Sequence, residues 1–122
     1  MNNRQTIGSR GEDLAADYYK NKDFYIAAKN FHSPFGEIDL IAEGEREIVF
    51  VEVKVRRKTA SYNPKEAVTV EKQNKIKKTA ESYLLKSRIY SALQPRFDVA
   101  EIILDDNNSF KNAKLKVIEN AF

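Results

Sequence analysis

Three side chains in the stretch GEIDLIAEGEREIVFVEVK, residues 36–54, could do chemistry together: the carboxylates of Asp39 and Glu52 and the ammonium of Lys54. Two carboxylates suit a hard divalent cation, Mg²⁺ (or Mn²⁺), which takes one or two such ligands and fills its octahedron with water and substrate phosphate. A lysine held beside them can orient an attacking water or steady charge on phosphorus. The plainer reading is a solvated hairpin end in which Lys54 pairs with Glu37 and one carboxylate takes up a proton.

Alternation decides whether these groups can meet. Residues 37–43 and 48–55 read as strands joined by a turn at Gly44-Glu45-Arg46. In the second strand Val49, Val51, Val53 and Val55 share one face, and Ile48, Phe50, Glu52 and Lys54 share the other. In the first strand Glu37, Asp39 and Ile41 share a face, opposite Ile38, Leu40 and Ala42. Antiparallel pairing with Glu43 opposite Ile48 sets Ile41 against Phe50, Asp39 against Glu52 and Glu37 against Lys54. A slip of one residue would mismatch both the apolar pattern and the charges, although a slip of two would satisfy both. Opposed carboxylates cost a few tenths to ~1 kcal/mol, so something is expected to compensate them.

The composition limits the alternatives. A chain of 122 residues with 42% hydrophobic and 32% charged residues fits one domain with its own core. No run has transmembrane length and no apolar leader is visible, which predicts a cytoplasmic protein without a membrane partner. Without cysteine there is no disulfide framework, thiolate metal site or cysteine nucleophile. His32 is the single histidine and reads as a loop residue, so histidine-rich metal sites are excluded. The net charge of +3 hides a polarity: residues 54–88 hold eleven Lys and Arg against three Glu, while the remainder holds ten positive and fifteen negative residues. That suits a phosphate backbone brought to a metal site, although a lysine-rich helix face is also common in solvated surfaces.

The remaining elements must position the cluster. Ser9-Arg10-Gly11-Glu12 has the form of a capping box for a helix to about Lys22, with Gly11, Leu14, Ala15 and Tyr18 as its buried stripe. Two readings fit Glu12: a cap, or a third carboxylate aimed at the same cation. Phe24 to Phe31 reads as a strand with Phe24, Ile26 and Ala28 on one face, followed by a turn at Ser33-Pro34-Phe35-Gly36. Arg56, Arg57 and Lys58 lead into a polar loop, Thr59 to Asn63, and a short helical turn or bend at Asn63-Pro64. Thr69 then caps a helix to Leu85 or Lys86, with Ile76, Ala80, Tyr83 and Leu84 on its core face. Gln73 extends that stripe, either half-buried or aimed at the site, and Lys72, Lys75, Lys77 and Lys78 favour phosphate contact. Pro95 separates this helix from a strand at Phe97 to Leu104. Asp98 reads as the partner of Arg96 or of another nearby cation, and a turn at Asp105 to Ser109 leads to a last strand near Lys114 to Glu119. The order helix, three strands, helix, two strands predicts an α/β fold with a mixed central sheet flanked by helices.

An aspartate, a gap of twelve and Glu-x-Lys resembles the PD-(D/E)XK nuclease superfamily, whose fold is restriction-endonuclease-like. The whole chain is similar to the bacterial YraN family within it. The blocks that carry the likeness are Gly11-Glu12 with Leu14-Ala15-Ala16, Gly36 to Ile41, Phe50 to Arg56, Glu66-Ala67-Val68, Lys72-Gln73 and Arg96 to Val99. The resemblance implies that Asp39 and Glu52 are metal ligands, Lys54 the catalytic lysine, Glu12 a further helix carboxylate and Gln73 an auxiliary polar group. Ile38 stands where the superfamily's proline would be, and that proline is not a ligand.

The expected activity is Mg²⁺-dependent cleavage of nucleic acid, DNA before RNA, with branched or repair intermediates as candidates and a homodimer as one way to span two strands. Arg56, Arg57, Lys58, Lys72, Lys75 and Lys78 are the expected nucleic-acid contacts. The rival readings are a nucleic-acid-binding module with little turnover and a small assembly protein whose basic helix docks an acidic partner.

Overall fold

The alternating apolar residues of the central hairpin form the middle of a five-stranded sheet, in a computed structural model that describes residues 7–58 and 68–122. In chain order the elements are α1 (Ile7–Lys20), β1 (Tyr25–Ser33), β2 (Gly36–Glu43), β3 (Glu47–Arg56), α2 (Val70–Leu84), a 3-10 turn (Arg88–Ala92), β4 (Gln94–Ile103) and β5 (Lys114–Ile118). The Thr59–Asn63 loop, the Asn63-Pro64 bend and the Glu66-Ala67 block lie outside the described residues.

The strands stand in the order β1-β2-β3-β4-β5. The first three form an antiparallel meander, β3 pairs parallel with β4, and β5 returns antiparallel. Parallel pairing requires a crossover, and α2 lies within it. The hairpin has the expected register, with Glu43 opposite Ile48 and Ile41 opposite Phe50. One face of the sheet buries Ile41, Ile48, Phe50 and Val99 against Ile76, Ala80 and Tyr83 of α2. The other buries Leu40, Ala42, Val49, Val51 and Ala100 against Ala15, Ala16 and Tyr19 of α1. This mixed sheet between two helices is the restriction-endonuclease-like arrangement that the sequence implies.

Several boundaries differ from the sequence reading. Ser9 lies inside α1, so it forms no capping box, and the buried stripe is Gly11, Ala15, Ala16 and Tyr19. Leu14 is exposed because the face is rotated toward the smaller residues, which let the helix lie close to the sheet. A Cβ on Gly11 would stand 2.5 Å from a Val55 methyl. β1 carries a register shift between Ile26 and Ala28. That bulge puts Ile26 on the α1 side and both Ala27 and Ala28 on the α2 side, which breaks the simple alternation. His32 is in β1, paired with Glu37, because the ladder continues to Ser33 and Gly36. Gly36 takes φ +150°, a conformation open to glycine, and closes this turn. Pro95 lies within β4, in the part that pairs with β3 before the β5 ladder begins at Val99, so its missing N–H leaves no gap on that side.

In register with Val51 on β3, Asp98 of β4 is fully buried and bonded on all sides. Arg96 donates to both its oxygens at 3.0 Å, the Tyr19 hydroxyl donates at 2.7 Å and the Asn120 N–H at 3.2 Å. Arg96 also bridges to Glu47 at 3.1 Å. This network pins α1 to β4. Among the described residues no helix is long and apolar enough to cross a membrane.

Candidate active site

The β2–β3 ladder ends at Leu40 and Val51, one pair short of Asp39 and Glu52. Ile38 clusters with Ile41 and Phe50 rather than with Leu40 and Ala42, so strict alternation fails across Asp39. The freed Val53 N–H donates instead to Asp39 Oδ2 at 2.8 Å. A side chain thus takes the place of a strand carbonyl where the two strands part.

Glu52 follows Phe50 on the α2 face and is 5% exposed. Its carboxylate meets two ammonium groups: Lys72, from the first turn of α2, and Lys54 at 3.6 Å. Thr69 caps that helix through the Lys72 N–H at 3.2 Å, which fixes where Lys72 stands. The Asp39 and Glu52 carboxyls lie beside each other. Burial first, and then the charge and hydrogen bond of Glu52, push the Asp39 carboxyl up to about 7, against the opposing Val53 N–H. Burial works to lower the Lys72 ammonium, but its bond to Glu52 and that group's charge outweigh it and the net shift is upward.

The other expected residues divide into near and far. Glu12 acts on Asp39 through its charge, and its Oε1 accepts from Asn30 Nδ2 at 3.0 Å. It does not complete a three-ligand group: among the described residues no three carboxylate or imidazole groups converge enough to hold an ion unaided. Glu37 leaves the cluster and meets His32 at 3.2 Å, so Lys54 has Glu52 rather than Glu37 beside it. Gln73 is half-buried and donates to the Val68 carbonyl at 2.9 Å, which ties the first turn of α2 to the segment before it.

Of the expected nucleic-acid contacts, Arg57, Lys58, Lys75 and Lys78 are exposed. Lys58 lies 3.5 Å from Asp106 and Lys75 lies 3.7 Å from Glu71. Lys72 and Lys75 also flank an open cleft of about 350 Å³ between α2 and Gly36. Arg56 is turned inward, where its Nε donates to Glu101 Oε2 at 2.7 Å with only 14% of its side chain exposed.

Two features lie beyond the sequence reading. Lys72 reads from its helix as a contact for the substrate backbone, yet it stands on Glu52. Its place in the first turn is readable from Thr69, but where that turn meets the sheet is not. Glu101 reads as one more residue of a largely apolar strand, yet it is a buried ion-pair partner. A carboxylate amid Val99, Ala100, Ile102 and Ile103 is the available signal.

Comparison with known proteins supplies relatives over nearly the full length. The chain is 49% identical over 116 residues to a UPF0102 protein of Clostridium botulinum (strain Loch Maree / Type A3), covering 95% of this chain and 93% of that one. It is 44% identical over 120 residues to a UPF0102 protein of Caldanaerobacter subterraneus subsp. tengcongensis, covering 98% and 97%. Residues 11–102, which run from the α1 glycine through Asp39, Glu52, Lys54 and Lys72 into β4, match the model of "Uncharacterised protein family UPF0102", and the chain therefore belongs to that family, which is the YraN family.

Proposed function

We propose that this protein is a metal-dependent phosphodiesterase that acts on nucleic acid in the cytoplasm, on DNA before RNA, with branched or damaged DNA as the substrates to test first. One observation carries the reading: the Asp39 carboxyl is buried beside that of Glu52 at the open end of the β2–β3 ladder, next to two ammonium groups. The donor set fits a hard cation. Both groups are oxygen donors, and Mg²⁺ is commonly held by one or two carboxylates, with water and phosphate supplying the rest. Bound there, Mg²⁺ (or Mn²⁺) would polarise a phosphoryl oxygen and lower the pKa of a water.

The remaining work belongs to the chain's own residues. Asp39 and Glu52 would hold the ion, and the Val53 N–H fixes the orientation of Asp39. Glu12 adds negative charge nearby. Lys54, 29% exposed, is the group able to reach an attacking water or the phosphate oxygens. Lys72, 45% exposed, offers a second positive charge on the α2 side. Gln73 holds the turn that presents it. Arg57, Lys58, Lys75 and Lys78 provide backbone contacts without base reading.

The test is incubation with linear, single-stranded, flap and four-way DNA, and with RNA, in Mg²⁺ or Mn²⁺. Asp39→Ala and Lys54→Ala should abolish cleavage and leave low-salt binding intact. Cleavage unchanged in either variant overturns the assignment. Sedimentation of the wild type with a four-way substrate reads whether one copy or a homodimer acts.

A second reading is a nucleic-acid-binding module with little turnover. The two ammonium groups on Glu52 favour it, because they already balance that carboxylate without a cation. It expects retardation of nucleic acid at low salt in the presence of a chelator, and no product from any substrate.

A further inference from the structure

Glu101 is 1% exposed, and its Oε1 has no hydrogen-bond partner among the described residues, while Oε2 accepts from Arg56. A buried carboxylate oxygen without a donor is costly, and such groups in folded proteins call for an explanation. The position of Glu101 suggests one. In the parallel β3–β4 ladder Lys54 is in register with Glu101, as Phe50 is with Phe97 and Glu52 with Val99. Phe50 and Val99 both bury on the α2 face, so Lys54 and Glu101 emerge on that face from strands spaced about 4.8 Å apart. The Arg56–Glu101 bond confirms the shared face.

Lys54 has a weak hold where it now stands. Its ammonium is 3.6 Å from Glu52 Oε2, an oxygen to which Lys72 is closer. Anything positive that takes the Glu52 oxygens leaves Lys54 without its carboxylate. Glu101 then presents an open acceptor oxygen in register with it.

We propose that Glu101 is a positioning residue for Lys54: its open carboxylate oxygen receives the ammonium when Glu52 is occupied by another cation, which keeps Lys54 at the site instead of releasing it to solvent. The role of Lys54 in turnover rests on the phosphodiesterase reading, but the Lys54–Glu101 pairing does not, and the experiment separates the two. The rate of reductive methylation at Lys54, read by mass spectrometry, is compared in wild type, Glu52→Gln, Glu101→Gln and the double variant, all without metal. Each single variant keeps one carboxylate for Lys54 and should stay near the wild-type rate. The double variant, in which Lys54 has neither carboxylate to hold it, should react about tenfold faster. If Glu101→Gln adds nothing in the Glu52→Gln background, the proposal is overturned.

Mg²⁺ alone is then added to wild type and Glu101→Gln. Lys54 should stay protected in the first and become more reactive in the second. If Mg²⁺ changes neither protein, the metal reading of the site falls and the four-protein comparison alone decides the role of Glu101. Because Glu101→Gln also alters the bond to Arg56, a second measurement leaves Glu101 intact. The ¹³C resonance of its carboxyl should move when Lys54→Met is added to Glu52→Gln, and no movement would count against the pairing. Glu101→Asp should restore protection in the Glu52→Gln background, as a merely space-filling role would not require.

Discussion

Asp39 is the residue whose ionisation folding changes most at the candidate site. Unfolded, it ionises near 3.8; folded, it keeps its proton up to about 7 because it is buried beside Glu52. Between those values the folded state binds more protons, so this group's contribution to stability falls as the pH rises and is lowest above about 7. Asp39→Asn should therefore be more stable than wild type above pH 7, by about 1–3 kcal/mol in urea denaturation, and the difference should vanish below about pH 4. A divalent cation competes for the same oxygens. Its uptake should release a proton below pH 7, and its apparent affinity should rise with pH until that release is complete, both measurable by calorimetry in buffers of different ionisation enthalpy. At this scale the meeting of Asp39, Glu52 and Lys54 is legible in the sequence because strand parity allows few registers and the apolar residues select among them. Glu37 departs from expectation because a turn-adjacent side chain has a second strand to choose from, and it meets His32 of β1. Lys72 departs for a different reason: residues 20 apart in sequence share no periodicity, and only the packing of α2 brings it to Glu52.

Two elements hold the site in place, and each rests on a few side chains. Gly11 lets α1 lie against Val53, Val55 and Ile102, and the next residue is Glu12. Gly11→Ala gains about 1 kcal/mol of helix propensity but forces a methyl into that contact at about 1–3 kcal/mol, so a net loss of up to about 2 kcal/mol is expected in thermal or urea unfolding. If α1 lifts as a result, the pull of Glu12 on Asp39 weakens and the Asp39 titration should shift downward. On β4, removing by Asp98→Ala the buried acceptor that Arg96, the Tyr19 hydroxyl and the Asn120 N–H share should cost about 3–5 kcal/mol, because it leaves several buried donors short of a partner. The types and order of the elements are legible from alternation and from Thr69. Their edges are less so. The bulge at Ile26 and Ala28, the early start of β4 at Gln94 and the Ser9 position inside α1 are set by neighbouring strands and by packing against the sheet, which a local window of sequence does not contain.

The lysines of α2 stand on the same side of the sheet as the carboxylate pair, and Lys72 and Lys75 border the cleft at Gly36. If nucleic acid follows that route, replacing Lys75 and Lys78 with Gln should weaken binding to all sequences alike. Each phosphate left without its lysine should flatten the slope of log K against log salt by about 0.9 for duplex DNA. A slope left unchanged would move the path elsewhere. The central strand also has consequences for how the chain assembles. β3 takes one neighbour from a hairpin a few residues away and the other only after the chain has travelled from Arg56 to Gln94. Short-range pairing closes faster than long-range pairing, so the β1–β3 meander is expected to form first and β4 to dock late. Mutations at Val49 or Ile41 should then slow refolding, whereas mutations at Val99 or Ala100 should chiefly hasten unfolding. A nascent meander without β4 would expose its free edge and the carboxylate pair together, and both would be covered or framed only when the second half of the chain arrives.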